Sequence, residues 1–341
     1  MAAVVGGGPQ DEIPEADAVE QGRAVDFDDE AGLDTAYLSG GAGDRDASEA
    51  DVVDQAFVVP VADDEEIDRE QASPGWHHRR VIIDLHVQRY GPSGPARVLT
   101  IHGVTEHGRI WHRLAHHLPE IPIAAPDLLG HGRSPWAAPW TIDANVSALA
   151  ALLDNQGDGP VVVVGHSFGG AVAMHLAAAR PDQVAALVLL DPAVALDGSR
   201  VREVVDAMLA SPDYLDPAEA RAEKATGAWA DVDPPVLDAE LDEHLVALPN
   251  GRYVWRISLP AMVCYWSELA RDIVLPPVGT ATTLVRAVRA SPAYVSDQLL
   301  AALDKRLGAD FELLDFDCGH MVPQAKPTEV AAVIRSRLGP R

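Results

Sequence analysis

The 341-residue chain is 48% hydrophobic and carries 52 acidic against 26 basic residues, for a net charge of −26. The excess is concentrated before Pro74, where 21 acids face three arginines (Arg23, Arg45 and Arg69), so the remainder is only mildly acidic. Phosphate binding needs a basic footprint, so this balance argues against a nucleic-acid partner and disfavours polyanionic substrates.

Residues 1–75 read as an acidic tail with glycine clusters and little periodicity. Their low apolar density leaves too little burial to offset chain entropy, which predicts disorder. "DQAFVVPV" is a candidate docking strand within it. From Trp76, "RRVIID" and "LHVQRY" alternate like a hairpin, and "ARVLTIHG" is a buried strand. "RIWHRLAHHL" has helical spacing, and "IPIAAPDLLGHGRS" is a strand running into a glycine-rich loop. "TIDANVSALAALLDNQG" is a helix with Asp143 as its N-cap and Gly157 as its stop. "PVVVVG" and "VAALVLLDP" are strands flanking the helix "GGAVAMHLAAARP". Residues 193–280 break the rhythm with helical stretches, prolines and aromatic residues. "TATTLVRAV", "SDQLLAALDKRLG", "DFELLDF" and "PTEVAAVIRSRL" then resume strand, helix, strand and helix. This order predicts a mostly parallel sheet covered by helices. The expected organisation is a tail (1–75), an α/β core (76–192 and 281–341) and a helical cap insertion (193–280).

The two cysteines, Cys264 and Cys318, allow one disulfide but no disulfide framework and no metal-binding pair. No basic, apolar leader and no stretch of about 18 apolar residues is present, so a soluble cytoplasmic protein without a membrane span is expected. His112, His116 and His117 have helical spacing without a zinc-peptidase pattern and read as a surface face rather than a metal site.

In "VVVVGHSFGG", a strand, a sharp turn and a helix meet at Ser167, with Gly165 and Gly169 two residues to either side. This is the Gly-x-Ser-x-Gly pattern of a nucleophile elbow. "IHGV" (101–104), "DLLGHGRS" (127–134) and "DCGHMV" (317–322) stand around it in an order that resembles α/β-hydrolase-fold serine hydrolases, of the esterase and lipase-like branch, over residues 76–341. The resemblance implies Ser167 as nucleophile, His320 as its base, and the backbone N–H groups of Val104 and Phe168 as the oxyanion hole. For the third triad member it leaves Asp191, at the end of "VLLDPA", with Asp297, after "RASPAYVS", as the alternative, or a weak or absent acid. It also makes His102 and His131 loop braces, and His166 a core or capping residue rather than a catalytic one.

The implied reaction is cleavage of small-molecule carboxylic esters of apolar acyl groups through an acyl-enzyme, with no cofactor. The same constellation also serves C–C bond or lactone hydrolysis, acyl transfer and cofactor-free peroxidation. A non-enzymatic scaffold would usually lack the serine or histidine, and both are intact.

Overall fold

A computed structural model describes residues 84–156 and 159–339, together with two short backbone segments nearer the N-terminus. Those segments, β1 (Gly32–Leu33) and β2 (Phe57–Val58), pair antiparallel within a unit spanning Met1–Arg79. Phe57–Val58 falls in the candidate docking strand, and its partner is Leu33 and Gly32. The rest of the tail reading, and Gly157 as a helix stop, lie outside the described residues.

The second unit, Arg80–Arg341, is built on a seven-stranded sheet. Its strands are β3 (Val87–Tyr90), β4 (Val98–Ile101), β5 (Ile123–Pro126), β6 (Val161–His166), β7 (Val184–Leu190), β10 (Ala281–Ala287) and β11 (Phe311–Phe316). Their spatial order is β11-β10-β7-β6-β4-β5-β3. All pairs are parallel except β3 with β5. Within "LHVQRY", Val87–Tyr90 pairs antiparallel with the distant β5, while the other strand of the expected hairpin, "RRVII", lies outside the described residues.

The valine run of β6 shows why the sheet is central. Val161 and Val163 face one core cluster, whereas Val162 and Val164 face the other. Alternate side chains leave a strand on opposite faces, so an unbroken apolar run needs cover on both. The first cluster is closed by α2 (Ile142–Asp154), α3 (Phe168–Ala179) and α8 (Asp297–Leu307). The second is closed by α1 (His112–His116) and α9 (Pro327–Arg337). Each buried valine contributes roughly 1.5–3 kcal/mol. Thr141, not Asp143, caps α2 by accepting from the Ala144 N–H at 3.0 Å. Asp143 sits in the first turn instead, where a carboxylate favours the helix dipole.

Between β7 and β10 the chain forms α4 (Gly198–Ala210), α5 (Pro217–Thr226), α6 (Pro234–His244) and α7 (Leu259–Glu268). A hairpin of β8 (Leu245–Ala247) and β9 (Tyr253–Trp255) interrupts them, so this segment is not purely helical as the sequence suggested. None of these elements joins the seven-stranded sheet. No helix among the described residues is long and apolar enough to cross a membrane.

Among the described residues, both core clusters are assembled from positions after Asp84. A chain beginning at Gly75 is therefore expected to unfold cooperatively at the melting temperature of the full chain, as followed by circular dichroism. A drop of several degrees would show that the first 74 residues stabilise the second unit.

Candidate active site

Ser167 stands between β6 and α3 with φ 53° and ψ −119°, in a region that L-residues rarely occupy. The crowding around it demands glycine. A Cβ on Gly165 would overlap the Gly169 carbonyl, and one on Gly169 would overlap the Ile101 carbonyl. The strand and helix therefore approach backbone to backbone, and the turn is held by Ser167 N–H to Leu190 O (3.1 Å) and Ala193 N–H to Ser167 O (3.1 Å). Ser167 occupies the N-cap position of α3, but its side chain makes no capping bond. The hydroxyl is thus not spent on the helix.

Asp191 ends β7, also at positive φ (44°), and is fully buried. Its N–H donates to Val285 O (2.7 Å), and its Oδ1 accepts from the Ala287 N–H (3.1 Å). Its Oδ2 lies 2.6 Å from Nδ1 of His320. Asp297 opens α8 in the first turn, behind the N-cap Ser296. Of the two candidate acids, the structure thus brings Asp191 to His320.

Burial pushes the His320 pKa below the ordinary imidazole value, while the Asp191 hydrogen bond works against that fall. The imidazole is accordingly neutral at neutral pH and can accept a proton at Nε2, with Nδ1–H donating to Asp191. The Tyr294 ring stacks on it at 3.9 Å, and the Arg200 guanidinium covers Tyr294 at 4.3 Å. Gly319, just before it, donates its N–H to Asp231, which also pairs with Arg289 at 3.0 Å.

The loop after β4 is fixed from three sides. His102 Nε2 accepts from the Leu128 N–H (2.9 Å), so Nδ1 carries the proton and donates to Gly103 O (2.8 Å). That carbonyl and the Val104 N–H belong to one trans peptide, so holding the first aims the second in the opposite direction. Glu106 Oε2 accepts the Gly103 N–H at 2.7 Å, and His131 Nε2 lies 2.8 Å from Val104 O. His102 therefore braces this loop, as expected, whereas His131, expected to hold its own loop and lying 2.9 Å from Leu129 O there, reaches across to this one as well. The Phe168 N–H opens α3, where the first-turn amides lack intrahelical acceptors.

A second buried pair escaped sequence reasoning. His166 Nδ1 lies 2.8 Å from Glu106 Oε1, and His166 Nε2 donates to His320 O at 2.8 Å. Burial opposes charge on both groups, but their mutual attraction prevails: Glu106 is held below the usual carboxylate range and His166 above the imidazole one. This ion pair joins the loop carrying Gly103 to the loop carrying His320. His166 has the core duty expected of it. Glu106 carries no sequence signal, because an isolated acid in a loop looks like any surface carboxylate. Cys318 and Cys264 are free thiols; Cys318 is buried, and burial pushes its pKa up to about 11, which suits packing rather than redox chemistry. His112 and His116 pack edge to face at 4.6 Å on α1.

Residues 98–333 match the Alpha/beta hydrolase family. The chain belongs to that family. Residues 1–71 match a separate one, the Mycobacterium Rv3202A family. The hydrolase chain is 99% identical over 261 residues to Lipase LipV of Mycobacterium tuberculosis, covering 76% of this chain and 100% of that protein. It is 28% identical over 285 residues to Esterase Rv0045c of the same organism, covering 81% of this chain and 90% of that one. Among solved structures, a marine microorganism esterase superimposes with a TM-score of 0.60 at 24% identity, covering 75% of this chain and 100% of that one. E-2-(acetamidomethylene)succinate hydrolase superimposes with a TM-score of 0.62 at 22% identity, covering 74% and 94%. At such identities the structural likeness speaks to the fold.

The Asp191 contact raises the His320 pKa against the effect of burial. Asp191→Asn is therefore expected to move the acid limb of ester turnover to lower pH, and Asp297→Asn to leave it in place. Parallel kcat–pH profiles of the three proteins check this.

Proposed function

We propose that this α/β hydrolase is a serine carboxylic-ester hydrolase acting on apolar acyl esters. The observation that carries the reading is the 2.6 Å contact of Asp191 with His320, whose loop accepts a hydrogen bond from His166, the residue before the strained turn at Ser167. The lipase and esterase names of its relatives agree with it.

In this mechanism His320 Nε2 takes the Ser167 proton as Oγ attacks the ester carbonyl. Asp191 keeps Nδ1 protonated and stabilises the imidazolium without taking its proton. The Val104 and Phe168 N–H groups receive the developing oxyanion, each such donor contributing about 3–4 kcal/mol to the barrier reduction. The imidazolium returns its proton to the leaving alcohol. Water, deprotonated by His320, then releases the acid and restores Ser167.

The segment between β7 and β10 serves as the cap. With the loop after β5 it lines an open cavity of about 1040 Å³, large for a small-molecule site. Trp136, Met208, Trp229, Trp255, Ile257 and Met262 line it, and Thr105, next to Val104, connects it to the oxyanion loop. Arg133, Lys224 and Arg256 also line it, the first two paired with Glu243 and Glu240, and the mainly apolar remainder suits an aliphatic acyl chain.

Two experiments test the reading. Ser167→Ala is expected to abolish labelling by a fluorophosphonate and to cut kcat on nitrophenyl esters by about 10⁴-fold or more; undiminished turnover in the purified variant would refute it. Each added methylene should raise kcat/KM about fourfold, from roughly 0.8 kcal/mol per buried CH₂, until the cavity is filled. Met262→Trp should shift that optimum to shorter esters, and a flat profile from short to long chains would contradict the assignment of the cavity.

A further inference from the structure

Among the described residues, one group of three side chains has the donors and spacing to hold a metal ion: His107, Glu240 and His244. His107 precedes the short 3-10 turn Gly108–Trp111, four residues beyond Gly103. Glu240 and His244 lie one turn apart on α6 and share a face. All three are buried, with 5%, 6% and 1% exposure. His107 Nε2 lies 2.9 Å from Glu240 Oε2, and His244 Nδ1 lies 3.2 Å from Glu240 Oε1. The imidazole centroids are 4.2 Å apart, and no two donor atoms are further apart than 4.8 Å.

We propose that His107, Glu240 and His244 form a binding site for one divalent transition-metal ion of the zinc type, joining the cap helix α6 to the oxyanion loop. Two imidazoles and one carboxylate make a borderline nitrogen–oxygen set. Zn²⁺, Co²⁺ and Ni²⁺ suit it, whereas Mg²⁺ and Ca²⁺ prefer oxygen alone. Tetrahedral bonds of about 2.0–2.1 Å place donors roughly 3.3 Å apart. The 2.9 Å separation of His107 Nε2 and Glu240 Oε2 is already near that spacing, and His244 Nδ1, within 4.8 Å of both, must close toward them.

Protonation suits the ion as well. Burial lowers the His244 pKa to about 4, and the Lys224 ammonium, with the contacts from His107 and His244, holds Glu240 well below its usual range against the effect of burial. A neutral His244 imidazole and an ionised Glu240 carboxylate are therefore present at neutral pH. His244 Nε2 has no hydrogen-bond partner. The ring proton can move there from Nδ1 without displacing another bond, turning Nδ1 into a ligand with no net proton release.

Lys224 Nζ lies 3.1 Å from Glu240 Oε1 and 3.9 Å over the Trp255 ring. It competes for one carboxylate oxygen and leaves Oε2 to the ion. A cavity of about 470 Å³ reaches His107 and Glu240 from outside and provides an entry path. Asp242 and Glu243 line it with Arg109 and Arg113, and Arg109 is itself paired with Glu243 at 2.8 Å. Three protein ligands leave a position for water, and the bound ion would restrain the cap against the loop that carries Val104.

The test uses the full chain, stripped with EDTA and desalted, titrated with ZnCl₂ by calorimetry and with CoCl₂ by visible absorption. One equivalent is expected to bind, with low-coordinate Co²⁺ bands and a Zn²⁺-dependent rise in melting temperature. His107→Gln and His244→Ala are each expected to weaken this binding at least tenfold. His116→Ala, in the exposed pair on α1, should leave it unchanged. Circular dichroism identifies the variants that fold, and a folded member of the first pair suffices for the comparison. No saturable binding to the parent chain would overturn the proposal, as would retention of the full equivalent in a folded His107→Gln or His244→Ala protein. Loss of binding on His116→Ala alone would overturn it too, by placing the ion on the surface.

Discussion

The site depends on one steric constraint: the backbone-to-backbone approach of β4, β6 and α3 at the elbow. Gly169 lies against the Ile101 carbonyl, and Gly165 against the Gly169 carbonyl, so neither position has room for a Cβ. That approach brings the Ser167 Cβ beside Gly103, where a Cβ would come within 3.3 Å of it. The positive φ of Ser167 is the conformational cost, of order 1–3 kcal/mol. The sheet on either side supplies the stabilisation, with every residue of β6 buried.

Around the elbow, buried polar groups do the positioning that apolar packing cannot. His102 sets the tautomer that aims the Gly103–Val104 peptide, Asp191 fixes the His320 ring, and the Glu106–His166 pair links the loops bearing both. Removing one partner of a buried ion pair leaves an uncompensated charge, at a cost of about 3–5 kcal/mol. The pair therefore couples the geometry of the site to the stability of the fold. The polar cluster of the segment between β7 and β10, Glu240 with Lys224, His107 and His244, meets this scaffold at His107, one residue from Glu106.

Much of this was legible in the sequence because it rests on local pattern. The valine run could only be a strand buried on both faces, and the two glycines around Ser167 are required by the contacts they make. The register of β3 was not legible. Alternation in "LHVQRY" marks a strand but not its partner, and β5 is more than thirty residues away. The hairpin inside the cap was hidden for a similar reason, since its three-residue strands are shorter than any useful period. Asp191 was a candidate on position alone; its distance to His320 depends on β7 and the C-terminal loop, 129 residues apart. Glu106 and the His107–Glu240–His244 cluster gave no signal, because their partners meet only across the folded chain.

The central claim is that Ser167 carries the acyl group during turnover. Rapid-quench reaction of the full chain with a slowly hydrolysed nitrophenyl ester, followed by peptide mass mapping, tests it most directly. The account predicts an acyl mass increment on the peptide containing Ser167, forming with the burst of nitrophenol and disappearing as the acid is released. Turnover with no adduct at Ser167, or with the adduct on another residue, would contradict it.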